Sequence, residues 1–282
     1  MDVYSALYLY AESSRGRCAV AEWEIDSAEI IRFEEAPSEL EVDLVAGDLA
    51  VSGSDDPPTL EVRQVSGPPL QVRLESGRLA IVQKESSFTS RLGVTRRSAS
   101  IVLAVPPECR ARLRTVSASV LAAGLADELS VETVSGEITL ESAKGPVKIE
   151  TVSGNTAARG VSGEFRGQSV SGGLTLETFS GGDVRLDTVS GEVTADVKNA
   201  GPASSVEVNT ASGSVFLRLA ASPSQRVRVG SVSGRLTSAF PELAVSSGPG
   251  SRSMHGALGD GRGRVEIHTV SGEVALLGEA VT

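Results

Sequence analysis

Few residues in this chain have the types and spacing that chemistry needs. The two histidines, His255 and His268, have no Cys, Asp or Glu at metal-ligand spacing, so both read as surface residues. Two cysteines, Cys18 and Cys109, form no spaced set, which points to neither a zinc site nor a disulfide framework. Serine is plentiful, yet no G-x-S-x-G nucleophile elbow is evident. The run Gly259-Asp260-Gly261-Arg262-Gly263 has the glycines of a phosphate-binding loop. It leads into the strand-like Val265-Glu266-Ile267, however, and not into a helix whose N-terminus could hold phosphate. A polysaccharide lyase or hydrolase needs carboxylates clustered on one face. Glu137, Glu192 and Glu273 share a position with Asn155, Gly173, Ser214 and Arg235, which separates them. No catalytic, cofactor-binding or metal-binding residue is assigned.

What the sequence does contain is a repeat. A Thr/Ser-Val-Ser-Gly tetrapeptide, with Ala and Phe variants, begins at Thr115 (Ala118 replacing Gly), Thr133, Thr151, Ser169, Thr188, Thr210, Ser231 and Thr269. The steps are 18, 18, 18, 19, 22, 21 and 38 residues, a regularity that marks stacked structural units. Between copies the apolar residues alternate, as in Ile138 and Leu140 or Val147 and Ile149, the period of a half-buried strand. The alternation then slips by one residue near each motif, for instance between Ile149 and Val152. Such a slip marks a strand turning a corner, with Val134, Val152 and Val189 expected to point inward beyond it. Each unit is therefore one coil, and the chain is predicted to be all-β, a parallel β-solenoid (β-helix) with coils of about 18–22 residues. Right-handed crossovers are the general rule, but the sequence does not fix the hand.

On this reading the motif hydroxyls of Thr133, Ser135, Thr151, Ser153, Thr188, Ser190, Thr210, Ser212, Thr269 and Ser271 form two exterior ladders. Their task is structural, bonding coil to coil. The expected organisation is an N-terminal extension over residues 1–24, and an irregular N-terminal β region or cap over 25–105. Solenoid repeats then fill 106–282, with a loop insertion at 238–264. Val51-Ser52-Gly53 and Val65-Ser66-Gly67 read as degenerate echoes of the motif, and the Ser/Arg-rich residues 86–99 as a protruding loop. The last coil reaches Val274, Leu276 and Leu277 with little chain left to cover it, so an open strand edge is expected there.

Charge is uneven. Residues 1–60 hold 14 acidic side chains against 3 arginines, which disfavours a nucleic-acid partner. No signal-peptide pattern is read, nor any apolar run near the roughly 20 residues of a membrane helix. A cytoplasmic location without direct membrane insertion is the default expectation.

The Thr-Val-Ser-Gly coils, the preceding Val105-Pro106-Pro107 and the closing Gly-Arg-Val-Glu-Ile-His-Thr-Val-Ser-Gly-Glu-Val resemble the bacterial "putative adhesin" β-strand-repeat family, a domain of unknown function. The resemblance covers about residues 25–277. It implies a β-solenoid, with envelope association for some relatives, and no site residues. The first functional expectation is a non-catalytic structural or binding scaffold presenting a repeated strand face to a protein or glycan partner. Self-assembly into a homo-oligomer through Val274, Leu276 and Leu277 is the second, and a carbohydrate-active β-helix enzyme the third.

Overall fold

A computed structural model of the chain describes residues 20–83, 97–199, 204–220, 222–248 and 250–279. Most of residues 86–99, read as a loop, lie outside these. The described residues form strands, turns and irregular segments without a helix, so no helix is long and apolar enough to cross a membrane. The chain divides into two compact units, Met1–Gly136 and Glu137–Thr282.

In the first unit the strands are β1 (Val20–Ile25), β2 (Glu29–Arg32), β3 (Glu39–Leu44), β4 (Gly47–Gly53), β5 (Thr59–Ser66), β6 (Leu70–Glu75), β7 (Arg78–Gln83), β8 (Ser98–Val105), β9 (Arg110–Thr115), β10 (Ser119–Ala123) and β11 (Leu129–Thr133). One sheet has the order β1-β6-β7-β3-β9-β11 and the other β2-β5-β8-β4-β10. The coils β3–β4 and β9–β10 stack in parallel register. Antiparallel strands β1, β2, β5 and β6 close the unit, and Trp23 meets Phe33 edge-on with ring centroids 5.5 Å apart. The N-terminal region thus holds both early coil and antiparallel strands, and among the described residues its first strand starts at Val20, inside the stretch read as an extension.

Strand pairing also explains the uneven charge. Acidic β3 lies between β7 and β9, placing Glu39, Glu41 and Asp43 beside Arg78 and the arginines of β9. Arg78 bonds Glu41, while Arg114 reaches Glu41 at 3.1 Å and Asp43 at 3.3 Å. Arginines far from this acidic segment in the sequence join it in one cross-strand ion-pair network in space.

The second unit contains β12 (Ile138–Glu141), β13 (Val147–Thr151), β14 (Thr156–Arg159), β15 (Phe165–Ser169), β16 (Leu174–Ser180), β17 (Val184–Thr188), β18 (Val193–Asn199), β19 (Ser205–Thr210), β20 (Val215–Leu219), β21 (Gln225–Ser231), β22 (Leu236–Ser238), β23 (Ala244–Gly248), β24 (Ser251–Ala257), β25 (Gly263–Thr269) and β26 (Val274–Gly278). Its sheets run β13-β15-β17-β19-β25-β21-β24-β23 and β12-β14-β16-β18-β20-β26-β22. Apart from the antiparallel β21–β24 and β23–β24 pairs, the ladders are parallel. The core is a column of aliphatic residues such as Val147, Val184, Val206, Val265 and Val227, all nearly inaccessible to solvent.

Two expectations about this end of the chain change. The 238–264 insertion is not a simple loop, because most of it forms the β23–β24 hairpin, and β24 extends the sheet beside β21. The coil of β25 and β26 is not the open end either. β25 lies between β19 and β21, and β26 between β20 and β22. Val274 and Leu276 are fully buried, while Leu277 faces outward. The chain passes over the next coil position between β20 and β21, within the 21-residue step, and the 38-residue step then supplies enough chain to build β22 and the hairpin and return into the gap. The terminal strands of this unit are therefore β22 and β23.

Two consequences are measurable. Thr156 is 2% exposed, and its hydroxyl finds no partner among the described residues. Thr156→Val should raise stability by about 1 kcal/mol in urea unfolding, because a buried unpaired hydroxyl is lost without a cavity. The bond from Arg78, aided by the charges of Arg78 and Arg114, holds the Glu41 carboxyl below its ordinary value of 4.5 despite partial burial. A depressed carboxyl contributes stability that is complete above its unfolded value and is lost as pH falls through the folded one. Glu41→Gln should cost about 1 kcal/mol at pH 7. It should also flatten the loss of stability below pH 4.5, measured by thermal unfolding across pH.

Candidate interaction surface

Within each coil of the second unit the chain passes from one sheet to the other through the Thr/Ser-Val-Ser-Gly corner. Strand alternation does not slip before the valine, as expected from the sequence. It continues one residue further, so the Thr or Ser that opens the motif points inward. Thr133, Thr151, Thr188, Thr210 and Thr269 are only 5–7% exposed. The valine and serine form the bend and face solvent, and the glycine is buried again. The three-residue slip thus runs from Thr to Gly, for example from Thr151 to Gly154.

A polar residue can point inward there because it has a partner. The motif glycine's N–H donates to the hydroxyl three residues earlier, at 3.0 Å for Gly154 to Thr151 and Gly191 to Thr188. The distance is 2.9 Å for Gly213 to Thr210 and 3.0 Å for Gly272 to Thr269. In the first unit Gly136 donates to Thr133 at 3.1 Å. Each bond satisfies a backbone donor that the corner would otherwise bury unpaired. The glycine itself is dictated by coil spacing. A Cβ on Gly191 would lie 2.0 Å from the Gly172 carbonyl oxygen, and one on Gly172 would lie 1.9 Å from that of Gly154.

The exterior serines do a different task. Ser135, Ser190, Ser212 and Ser271 direct both the backbone N–H and the side-chain hydroxyl to a carbonyl of the adjacent coil. The N–H distances are 2.9–3.1 Å and the hydroxyl distances 3.2–3.5 Å. Ser153 holds the same exposed corner position. The two hydroxyl ladders expected on the exterior are therefore one buried ladder and one exposed ladder, and only the exposed one spans coils throughout. In the buried set, a coil-to-coil hydroxyl bond joins Thr115 to Thr133 at 2.9 Å.

What remains exposed is valine. Val152, Val170, Val189, Val232 and Val270 are 47–53% exposed. Strand order places them, with Ala211, in one line: Val152, Val170, Val189, Ala211, Val270, Val232. The valines expected inside are instead an aliphatic ridge. The missed signal was strict period two, which, carried past Ile149, would have placed Thr151 inside.

Other chemical candidates do not converge. His255 and His268 are both exposed. No group of three or more His, Cys, Asp and Glu side chains could hold a metal among the described residues. Cys109 is buried and unpaired, and its thiol is pushed up to about 12 by burial first, then by the charges of Asp127 and Glu39. A thiol so held is a poor nucleophile. The echoes Val51-Ser52-Gly53 and Val65-Ser66-Gly67 are not corners: Val51 is buried within β4, and Val65 and Ser66 belong to β5. The corner of that first coil is Leu44-Val45-Ala46-Gly47, with Leu44 in register with Thr115 and Ser117 bonded to Val45. Leucine replaces the hydroxyl residue, which hid it.

The regular corner repeat is also where the chain meets known sequences. Residues 38–277 match the family model described as Toastrack DUF4097. The chain belongs to the Toastrack family. No curated protein matches it. Several solved structures are similar to the Toastrack chain at low identity. A "putative lipid binding protein" from Parabacteroides distasonis is 16% identical with a TM-score of 0.48, covering 90% of this chain and 95% of that one. A "putative adhesin" from Bacteroides fragilis is 8% identical with a TM-score of 0.42, covering 93% and 98%. Another from Parabacteroides distasonis is 12% identical with a TM-score of 0.40, covering 94% and 98%.

The corner geometry makes a paired prediction for the Toastrack coil. Thr188→Val leaves the Gly191 N–H buried without an acceptor and should cost about 1–3 kcal/mol in urea unfolding. Gly191→Ala forces the Gly172 and Gly191 coils apart and should cost more, with loss of the cooperative transition in calorimetry. Ser190→Ala, at the exposed position beside them, should change stability by less than about 1 kcal/mol.

Proposed function

We propose that the protein is a non-catalytic scaffold that presents the valine ridge of its second unit to a protein partner. One observation carries this reading. The hydroxyls of the corner and its glycine N–H groups are used within the coil stack, whereas the valine beside them stays half exposed at five of the six corners. Six corner positions at about 4.8 Å spacing make a ridge about 24 Å long. Apolar surface of that kind gains free energy when a partner covers it. The column beside it supports binding over catalysis. In stacking order Glu192 and Glu273 are separated by the coil of Ser214, so the two carboxylates do not meet as an acid–base pair.

The test is cross-linking with mass spectrometry on the full chain in its native cells. It is compared with a Val152→Asp, Val170→Asp, Val189→Asp variant. Because the three side chains are already half exposed, the variant should keep its circular dichroism spectrum and melt within a few degrees of wild type. Protein cross-links that map beside the ridge should disappear. Retention of the same cross-links would overturn the reading, as would turnover of a polysaccharide by the purified chain. Cross-links joining two copies through residues 244–248, the wholly exposed strand β23, would replace it with self-association.

A further inference from the structure

At the end of the second unit the charge pattern of the outer sheet face breaks. On β13, β15 and β17 of the same sheet the cations meet carboxylates at short range. Lys148 lies 2.7 Å from Glu150, and Arg166 lies 2.7 Å from Glu164. Arg185 is 2.9 Å from Asp187 and 3.1 Å from Glu207. On β21 and β25 the balance fails. Arg226 stands directly opposite Arg264 in the parallel ladder, and both side chains face out. Adjacent strands are about 4.8 Å apart, and like charges placed opposite each other on one face destabilise a sheet.

The surrounding carboxylates do not correct this. Glu266 is shared between Arg228 at 4.0 Å and Arg264 at 3.8 Å, both beyond hydrogen-bonding length. Asp260 is taken by Arg262 at 2.8 Å. Arg226 has no ion pair among the described residues. Arg226, Arg228, Arg262, Arg264 and Glu266, with Gly261 and Gly263, line one shallow cleft of about 100 Å³. Glu207, opposite Glu266 on β19, is held by Arg185 at 3.1 Å, so the four guanidinium groups keep only the carboxylates of Glu266 and Asp260, and two positive charges are left over, in a chain whose net charge is -10.

The loop that brings Arg262 to the strands is fixed in place. Gly259 and Gly261 adopt left-handed backbone, φ 54° and 62°, which glycine tolerates without strain. Leu258 and Gly263 donate backbone bonds to Gln225 and Ser224 at 2.8 and 2.9 Å. The loop is thereby stitched to the start of β21, beside Arg226. The glycine-rich run that no helix follows is a spacer for arginines.

We propose that this cleft binds a doubly charged oxyanion, a phosphate or sulfate group, with Arg226 and Arg264 as the principal ligands and Arg228 and Arg262 flanking them. Guanidinium forks match tetrahedral oxyanions and donate two bonds in one plane. The ligand replaces the carboxylate that the ladder lacks, and the two opposed cations are what it neutralises. The site lies on the sheet face and uses none of the ridge valines, so it stands independently of the scaffold reading.

The experiment is titration calorimetry of the full chain with sodium phosphate and with sodium sulfate, at ionic strength held constant with sodium chloride. Saturable binding in the millimolar range or tighter is expected. Arg226→Gln and Arg264→Gln should each weaken it at least tenfold. Arg166→Gln, which removes an arginine with its own carboxylate, should leave it unchanged. Arg226→Glu should abolish binding and raise the melting temperature, since it supplies the missing carboxylate opposite Arg264. Glycerol phosphate separates the two sources of the group. Affinity equal to that of inorganic phosphate supports an esterified group as the ligand, and weaker affinity supports the free ion. No binding above the chloride background, or full binding by the Arg226 variants, would overturn the proposal.

Discussion

Everything in the second unit depends on how closely two coils can approach at a corner. Parallel stacking brings one coil's carbonyl oxygen to within 2 Å of where a Cβ would sit on the next, as at Gly172 and Gly191. Only glycine satisfies that distance. Glycine, though, brings no side chain to stabilise the turn and leaves a buried N–H to satisfy. The hydroxyl three residues earlier supplies the acceptor, which is why a polar residue occupies a position that strand alternation buries. Thr-x-x-Gly is thus one physical device, a steric allowance and the hydrogen bond that makes it tolerable. The serine between them ties each coil to its neighbour. Valine, the fourth member, is left with no task inside the coil.

Because the corners hold the stack, the flat faces are free to vary. Their charges are arranged rung by rung. In the first unit the acids of β3 are flanked by the arginines of β7 and β9, so part of the acidic first stretch of the chain is balanced by strands later in the sequence. In the second unit the same logic holds along β13, β15, β17 and β19, until β25 and β21, where two arginines meet across a ladder and carboxylates run short. A uniform scaffold makes that exception visible, since each rung can be compared with the ones beside it.

Much of this was legible beforehand. The spacing of the motif, the period-two alternation and the interruption of that alternation are backbone properties, and they led to parallel coils. What misled was chemical intuition about side chains. Valine at 152 and threonine at 151 suggest inside and outside respectively, and the structure reverses them because Thr151 has a hydrogen-bond partner that the sequence does not display. The order of the last coils was hidden for another reason. Register between β25 and β19 depends on the path of the intervening hairpin, and nothing local in residues 263–278 records it. The arginine cleft was hidden too, since Arg226 and Arg264 are 38 residues apart in the chain and become neighbours only through that same detour.

The insertion of β25 and β26 between coils made earlier in the chain has a consequence for assembly. A simple solenoid can grow like a stack of plates, each coil settling on its predecessor as it leaves the ribosome. Here the coil of β21 and β22 has no finished surface to settle on, because its true neighbour is still unmade. The first unit shows a mirror case, with β3 and β4 enclosed by β7 and β8, which follow them. In each unit, therefore, a coil is enclosed by strands that are made after it. Within a unit so built, the later strand holds the earlier one in place, and a coil cannot fray from the stack without its neighbour leaving too.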